Sequence, residues 1–337
     1  MFEILQKLCN LDGASGDEKA VREFIISEIK DYCEYKTDAL GNIITFKKGE
    51  KEAAAKLMID AHMDEVGLII TSITNDGFLK FKTVGGIETP AIMARRVTLN
   101  RNIKGVIGGK PIHLMKDSER KKLPDKDSLY IDIGAASKEE AEKYVNVGDF
   151  AVIDGEYEEI GGKILSKALD DRIGCALLIS LLKEKSEYDF YATFTVQEEL
   201  GCRGAKTATY AVNPQFAIVL EATTAADIAD VAEENSVCKQ GDGPAVSFMD
   251  RATLYDKKLY NTALESSVKC QAKKAVTGGN NSSAIHLSRE GVRTIAVSVP
   301  TRYIHSCSSV ADVEDIKKSF KLCKYMINKI CSGETND

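Results

Sequence analysis

The sequence contains no tryptophan and only four histidines in 337 residues. Without the largest aromatic ring, a chain is poorly equipped to stack on sugars. Four imidazoles are few enough that each can be weighed as a metal ligand or proton carrier. No segment approaches the ~20 apolar residues that a membrane-spanning helix needs, and the longest apolar runs are strand-length. Lysine and arginine nowhere gather into the stripe that phosphate backbones require, and the net charge is -6, so neither nucleic acid nor membrane is an expected partner. The one basic clump, Arg120-Lys121-Lys122, stands among acids and reads as a solvated tip. No CxxC pair occurs among the 9 cysteines, which points to reduced thiols rather than a disulfide framework. The opening MFEILQKLCNLDGASGDE carries Glu3 and no apolar core, so it reads as the start of the fold rather than an export signal, and a cytoplasmic protein is expected.

What is present supports a real core: 44% apolar and 28% charged residues are ordinary for a globular chain. Ser15-Gly16-Asp17-Glu18 has the form of a capping box, and Val21, Phe24, Ile25, Ile29 and Tyr32 recur at helical spacing, so a helix is expected over 16–33. Short strands follow at 43–46 and 57–61. From residue 67 to about 165 the text is β-rich, with strands expected at 68–73, 78–84, 96–99, 105–107 and 130–133, a polar loop at 115–127 and a short helix at 138–145. The rhythm then alternates: helix 172–182, strands 190–196, 216–220 and 294–299, and a closing helix at 313–330. Such alternation predicts an α/β fold, a mixed sheet flanked by helices. The economical division is a domain built from residues 1–66 and 166–337, with a small β-rich module, 67–165, inserted between.

Candidate chemistry gathers at strand ends, where α/β sheets present ligand residues. His62 follows the apolar strand 57–61, with Asp64 two residues on, placed to accept from the imidazole and fix its tautomer. Asp170-Asp171 joins β text to a helix. Glu198-Glu199 follows the strand 190–196, and an adjacent pair can divide the work, one carboxylate on a metal and its neighbour taking a proton from water. Glu221 ends the strand 216–220, and His305 follows 294–299. Each has a bland explanation alone: a surface histidine, acids at a helix start, a solvated turn. Two imidazoles and three carboxylates at one kind of address suit a pair of zinc-like ions bridged by a carboxylate. His113 and His286 read as structural, and no nucleophile elbow or P-loop occurs.

His62-Met63-Asp64-Glu65-Val66-Gly67, Ala168-Leu169-Asp170-Asp171-Arg172, Gln197-Glu198-Glu199-Leu200-Gly201 and Arg302-Tyr303-Ile304-His305-Ser306 resemble, in this order, the TET-type (tetrahedral) metalloaminopeptidases. Some members of that family carry an endoglucanase label. The resemblance runs nearly the whole chain. It implies that His62 and Glu221 hold one metal, Glu199 and His305 the other, and that Asp170 bridges them. It makes Glu198 the general base, with Asp64 behind His62, and the β-rich insert the module that assembles dimers and then a dodecamer. Two divalent ions per chain are implied, zinc first and cobalt or manganese as alternatives. One departure stands out: where the family has Gly-Gly-Thr-Asp-Ala-Gly, this chain has Gly278-Gly279-Asn280-Asn281-Ser282-Ser283, losing an acid at 281 with an expected effect on pocket polarity.

The expected reaction is hydrolysis of the N-terminal bond of short peptides, by water acidified between two metals and deprotonated by Glu198. Alternatives are a deacylase or carboxypeptidase with a similar centre, a glycosidase using paired carboxylates, and an inactive assembly scaffold.

Overall fold

The computed structural model describes residues 1–335. Its strands, in chain order, are β1 (Glu34–Thr37), β2 (Ile43–Lys47), β3 (Leu57–His62), β4 (Gly67–Ile73), β5 (Leu79–Val84), β6 (Arg96–Leu99), β7 (Ile103–Gly108), β8 (Tyr130–Asp132), β9 (Phe150–Ile153), β10 (Glu158–Ile160), β11 (Lys163–Ser166), β12 (Phe190–Thr195), β13 (Phe216–Thr224), β14 (Ala245–Val246), β15 (Gln271–Ala272), β16 (Arg293–Arg302) and β17 (Ser309–Asp312). They form a large mixed sheet with the path β1-β2-β12-β3-β13-β16-β17-β11-β10, to which β14 and β15 attach, and a closed barrel in the order β4-β5-β8-β7-β6-β9.

The middle of the large sheet, β12-β3-β13-β16, is parallel. Its strands are covered on both faces and therefore read as largely apolar runs, broken by a few buried polar residues such as Asp60 and Thr193. Leu57, Ile59 and Ala61 of β3 and Phe216, Ile218 and Leu220 of β13 point to one face, into a core shared with helices Leu169–Lys183 and Val313–Cys331. Met58, Ala217 and Val219 point the other way, against helix Arg203–Val212. Side-chain alternation along a strand makes both layers from the same few residues.

The barrel has its own core, in which Leu68, Ile70, Leu79, Val97, Ile107 and Ile131 meet. Closure leaves it no open strand edge. Its last strand ends at Ile153. The final part of the β-rich text, β10 and β11, belongs instead to the large sheet, because β11 pairs with β17 some 150 residues later, Ser166 opposite Ser309.

Several local expectations change. The helix expected over 16–33 runs Lys19–Ile29 without a side-chain cap; the Ser15 hydroxyl donates to Asp64 (2.6 Å) rather than capping the helix, and the Glu18 carboxylate accepts from Gly16 N. Helices Phe2–Cys9, Arg203–Val212 and Lys257–Leu264 lie where the sequence reading placed none. Strand β13 continues past Leu220 to Thr224, so Glu221 sits inside it rather than at its end. Arg120, Lys121 and Lys122 are exposed, as a solvated tip requires. Among the described residues no helix is long and apolar enough to cross a membrane.

Candidate metal centre and active site

The residues singled out at strand ends converge on one side of the sheet. His62 closes β3 and is buried. Its Nε2 lies 3.3 Å from Asp170 Oδ1 and 3.7 Å from Glu221 Oε2. Across the site, His305 Nε2 lies 3.1 Å from Glu199 Oε1 and 3.5 Å from Asp170 Oδ2. Asp170 thus turns one carboxylate oxygen to each imidazole. Two groups result, His62–Asp170–Glu221 and Asp170–Glu199–His305, and within each the donor atoms all lie within 4.8 Å of one another. Asp170 is common to both. The peptide joining it to Asp171 is cis, and both residues depart from helical geometry before the helix proper begins.

Asp64 organises this arrangement without joining either group. It stands 3.4 Å from His62 Nδ1, whose other partner is the Asp64 backbone carbonyl at 3.1 Å. Its Oδ1 accepts from Glu198 N (2.9 Å), and its Oδ2 from Glu199 N (3.1 Å) and the Ser15 hydroxyl (2.6 Å). One fully buried carboxylate therefore orients an imidazole and fixes the turn that carries both glutamates. The Glu198 side chain belongs to neither group, and its Oε1 is met by the Cys202 thiol at 3.5 Å.

Burial and mutual charge shape the titration of this cluster. Burial pushes Glu198 up to about 8, the charge of His62 opposing and the Glu199, Asp64 and Asp170 carboxylates reinforcing. Glu221 and Asp171 are raised well above the ordinary range, chiefly by burial. Burial works against protonated His305, but hydrogen bonds to Asp170 and Glu199 prevail and bring it up to about 11. Burial likewise opposes ionised Asp170, yet its bonds to His305 and His62 hold it below the ordinary carboxylate range. Imidazoles here hold protons that a metal would displace, so metal uptake must release them.

Outside the cluster, the histidines take other roles. His286 follows helix Ser282–Ile285 and holds the Ser282 carbonyl at 2.7 Å. His113 lies in an exposed turn of the barrel region. Asn281, the departure expected to alter the pocket, is fully buried beneath the site: its amide donates to Asp60 and to Thr195. Only its neighbour Asn280 lines the adjoining cavity.

Residues 41–322 match the M42 glutamyl aminopeptidase family. The chain belongs to that family. It is 32% identical to the lysyl aminopeptidase of Pyrococcus furiosus, over 98% of this chain and 97% of that one. Its backbone matches the aminopeptidase APDkam598 of Desulfurococcus kamchatkensis with a TM-score of 0.93 at 35% identity, covering 99% of this chain and 96% of the other. It also matches the TET1 peptidase of Pyrococcus horikoshii, described as assembling into a tetrahedron or a large octahedral shell, with a TM-score of 0.84 at 35% identity over 96% and 98% of the two chains. The protein is a peptide hydrolase, a metal-dependent aminopeptidase. This M42 membership favours none of the deacylase, carboxypeptidase, glycosidase and scaffold alternatives.

The M42 site fits divalent ions on its own evidence. Glu221 Oε1 is buried with no hydrogen-bond partner, an expensive state for a carboxylate oxygen that a cation would relieve. Imidazole with carboxylate is also the donor set that borderline divalent ions accept.

Sequence reasoning missed the support beneath the site. Glu65, quoted in a motif but given no part, accepts from Lys167 Nζ (2.8 Å), Arg172 Nη2 (3.3 Å) and Gly13 N (3.1 Å), all away from water. Arg172 is fully buried and also donates to the Leu8 carbonyl (2.6 Å). The adjacency of Glu65 to the His62 motif and of Arg172 to the Asp170 motif was the available signal, but their pairing spans 107 residues.

Proposed function

We propose that this M42 aminopeptidase removes the first residue of short peptides at a two-metal centre held by His62, Asp170, Glu199, Glu221 and His305, with Glu198 as the general base. The observation that carries the reading is the division of Asp170 between the two imidazoles, while Glu198 stays outside both groups. Two divalent ions, when bound, supply water acidic enough to be deprotonated near neutrality and polarise the scissile carbonyl. The protein's own groups do the rest. Glu198 takes the proton from the attacking water and delivers it to the leaving amine, and its burial gives it the high proton affinity that this shuttle needs. Asp64 keeps His62 and the Glu198–Glu199 turn in register. The carboxylates around the cluster favour a free, protonated α-amino group, which supports exopeptidase selectivity. Zinc suits this donor set best, with cobalt or manganese as substitutes.

We assign the barrel, β4 to β9, to self-association, building dimers and then a dodecamer. Support comes from its exposed apolar side chains, Ile112, Leu114 and Leu123, on the segment between β7 and β8, and from the assemblies described for TET1. The nine free thiols, most of them buried, support a reducing cytoplasmic setting.

The test is a panel of short peptides with free and N-acetylated termini, assayed as purified, after chelation, and after return of zinc, cobalt or manganese singly. Cleavage of free-amino peptides that vanishes with chelator and returns with metal is expected. Full turnover in chelator, or preference for acetylated peptides, would overturn the reading.

A further inference from the structure

The turn that carries Glu198 is fixed through its backbone. Gln197 N donates to Glu18 (3.2 Å), Glu198 N and Glu199 N donate to Asp64 (2.9 and 3.1 Å), and the Glu198 carbonyl accepts from Gly201 N and Cys202 N, both at 2.8 Å. None of these bonds reaches the Glu198 side chain, a long and rotamer-rich one. Among the described residues its carboxylate has one hydrogen-bond partner, the Cys202 thiol, 3.5 Å from Oε1.

The local backbone brings that thiol into place. Cys202 is left-handed, with φ 56°, and stands immediately before helix Arg203–Val212. The tight turn and the left-handed residue together return the thiol to a side chain four positions earlier. The thiol is itself held from behind: the Ser283 hydroxyl donates to Cys202 Sγ at 3.4 Å. Ser283 closes the stretch 280–283 that departs from the family pattern. Cys202 is only 8% exposed, and burial, with the Glu198 carboxylate reinforcing, raises the proton affinity of its thiol. It is therefore a neutral S–H donor rather than a nucleophile.

A general base acts only when its oxygen is within hydrogen-bond reach of the proton it takes. Glu198 lies in neither ligand group, so a metal does not hold it in place. We propose that Cys202 is a positioning residue for the aminopeptidase reaction: backed by Ser283, its thiol holds the Glu198 carboxylate in the orientation that proton transfer requires. This rests on the reading of Glu198 as the base. Cys202 itself gives up no proton.

The experiment measures kcat, KM and metal content on the p-nitroanilide that the metal-loaded wild type cleaves best. Cys202→Ala should lower kcat by about 3- to 10-fold, the size of one neutral hydrogen bond, with KM and metal content unchanged. Alanine meets the same left-handed backbone as cysteine, so the change adds no strain there. Cys202→Ser keeps a donor and should recover most of the lost kcat. In a Glu198→Gln background, Cys202→Ala should cost nothing further, a coupling that general loosening of the fold does not produce. An undiminished kcat in Cys202→Ala, or a loss carried by KM or by metal, would overturn the proposal. So would an equal fold loss with and without Glu198, or a serine variant no better than alanine. Full turnover by Glu198→Gln with both metals retained would instead overturn the base assignment, and this proposal with it.

Discussion

The side-chain amide of Asn281 donates to Asp60 Oδ2 at 2.7 Å, both residues being fully buried and Asp60 lying on β3, the strand that ends in His62. The same amide nitrogen reaches Thr195 Oγ1 at 2.8 Å, and Thr193 donates to the other oxygen of Asp60 at 2.6 Å. An amide at 281 is therefore what the aspartate at 60 requires. The acid lost from one position is faced by an acid on the neighbouring strand.

Asn281→Asp should destabilise the fold, because it removes a donor and sets a second carboxylate against Asp60 away from water. A loss of about 1–3 kcal/mol at pH 8 is expected. Asp60→Asn should recover most of it in the double variant, since the donor and acceptor are then merely exchanged. Thermal unfolding of the single and double variants checks this; equal midpoints for wild type and Asn281→Asp would show that the pair imposes no constraint.

The adjacent acids at 198 and 199 should separate cleanly. Glu198→Gln leaves both ligand groups intact, so metal content should be unchanged while kcat falls by about 10²–10⁴, the usual size of a general-base contribution. Glu199→Gln should instead lose metal, because a neutral amide is a poor replacement for a carboxylate beside a dication. Elemental analysis with turnover on both variants decides the roles, and the opposite pattern would reverse them.

Glu18 gives a pH signature away from the metals. Burial pushes its carboxyl up to about 7, against the lowering effect of the Gly16 and Gln197 N–H groups that it accepts from. A carboxyl raised in the folded state holds its proton more tightly there than in the unfolded chain. Its contribution is thus fully present below about 4.5, the unfolded value, and is lost as pH rises through about 7. Glu18→Gln keeps an acceptor and removes the titration, so its stability should vary less than wild type between these two pH values. Denaturant midpoints across that window measure the difference, and parallel curves would exclude the assignment.

Replacing exposed Ile112, Leu114 and Leu123 with serine should reduce particle mass by light scattering, if the barrel assembles the protein. Hydrolysis of a small chromogenic substrate should persist, because none of the three lines the cavities at the metal centre. Unchanged mass would sink the assembly role.

The candidate site was legible because its residues are tied to a pattern that sequence carries well. Parallel strands buried on both faces are largely apolar runs, and His62, Glu198, Glu199 and His305 stand just where such runs stop. Glu221 was found for the same reason, although β13 runs on past it through Ala222 and the threonines. What could not be read were partners distant in the chain. Ser15 looks like a helix cap locally, but Asp64 claims its hydroxyl. The pairing of β11 with β17 leaves no trace in either segment. Helix Arg203–Val212 was overlooked because it buries alanines and a glycine rather than large apolar residues, and it starts without a side-chain cap from a left-handed Cys202.

The ion pair between Glu65 and Lys167 joins the residue just before the barrel excursion to the residue just after β11. The chain leaves the large sheet beside His62, rejoins it at β10 and reaches Asp170 only after β11, and the salt bridge with Arg172 clasps the exit from β3 to the end of that returning hairpin. The barrel together with the β10–β11 hairpin that follows it is accordingly closed off at one anchored spot. Because Gly85 and Gly86, just past β5, lie against Glu199 and His305, that anchor also fixes how the insert borders the ligand cluster.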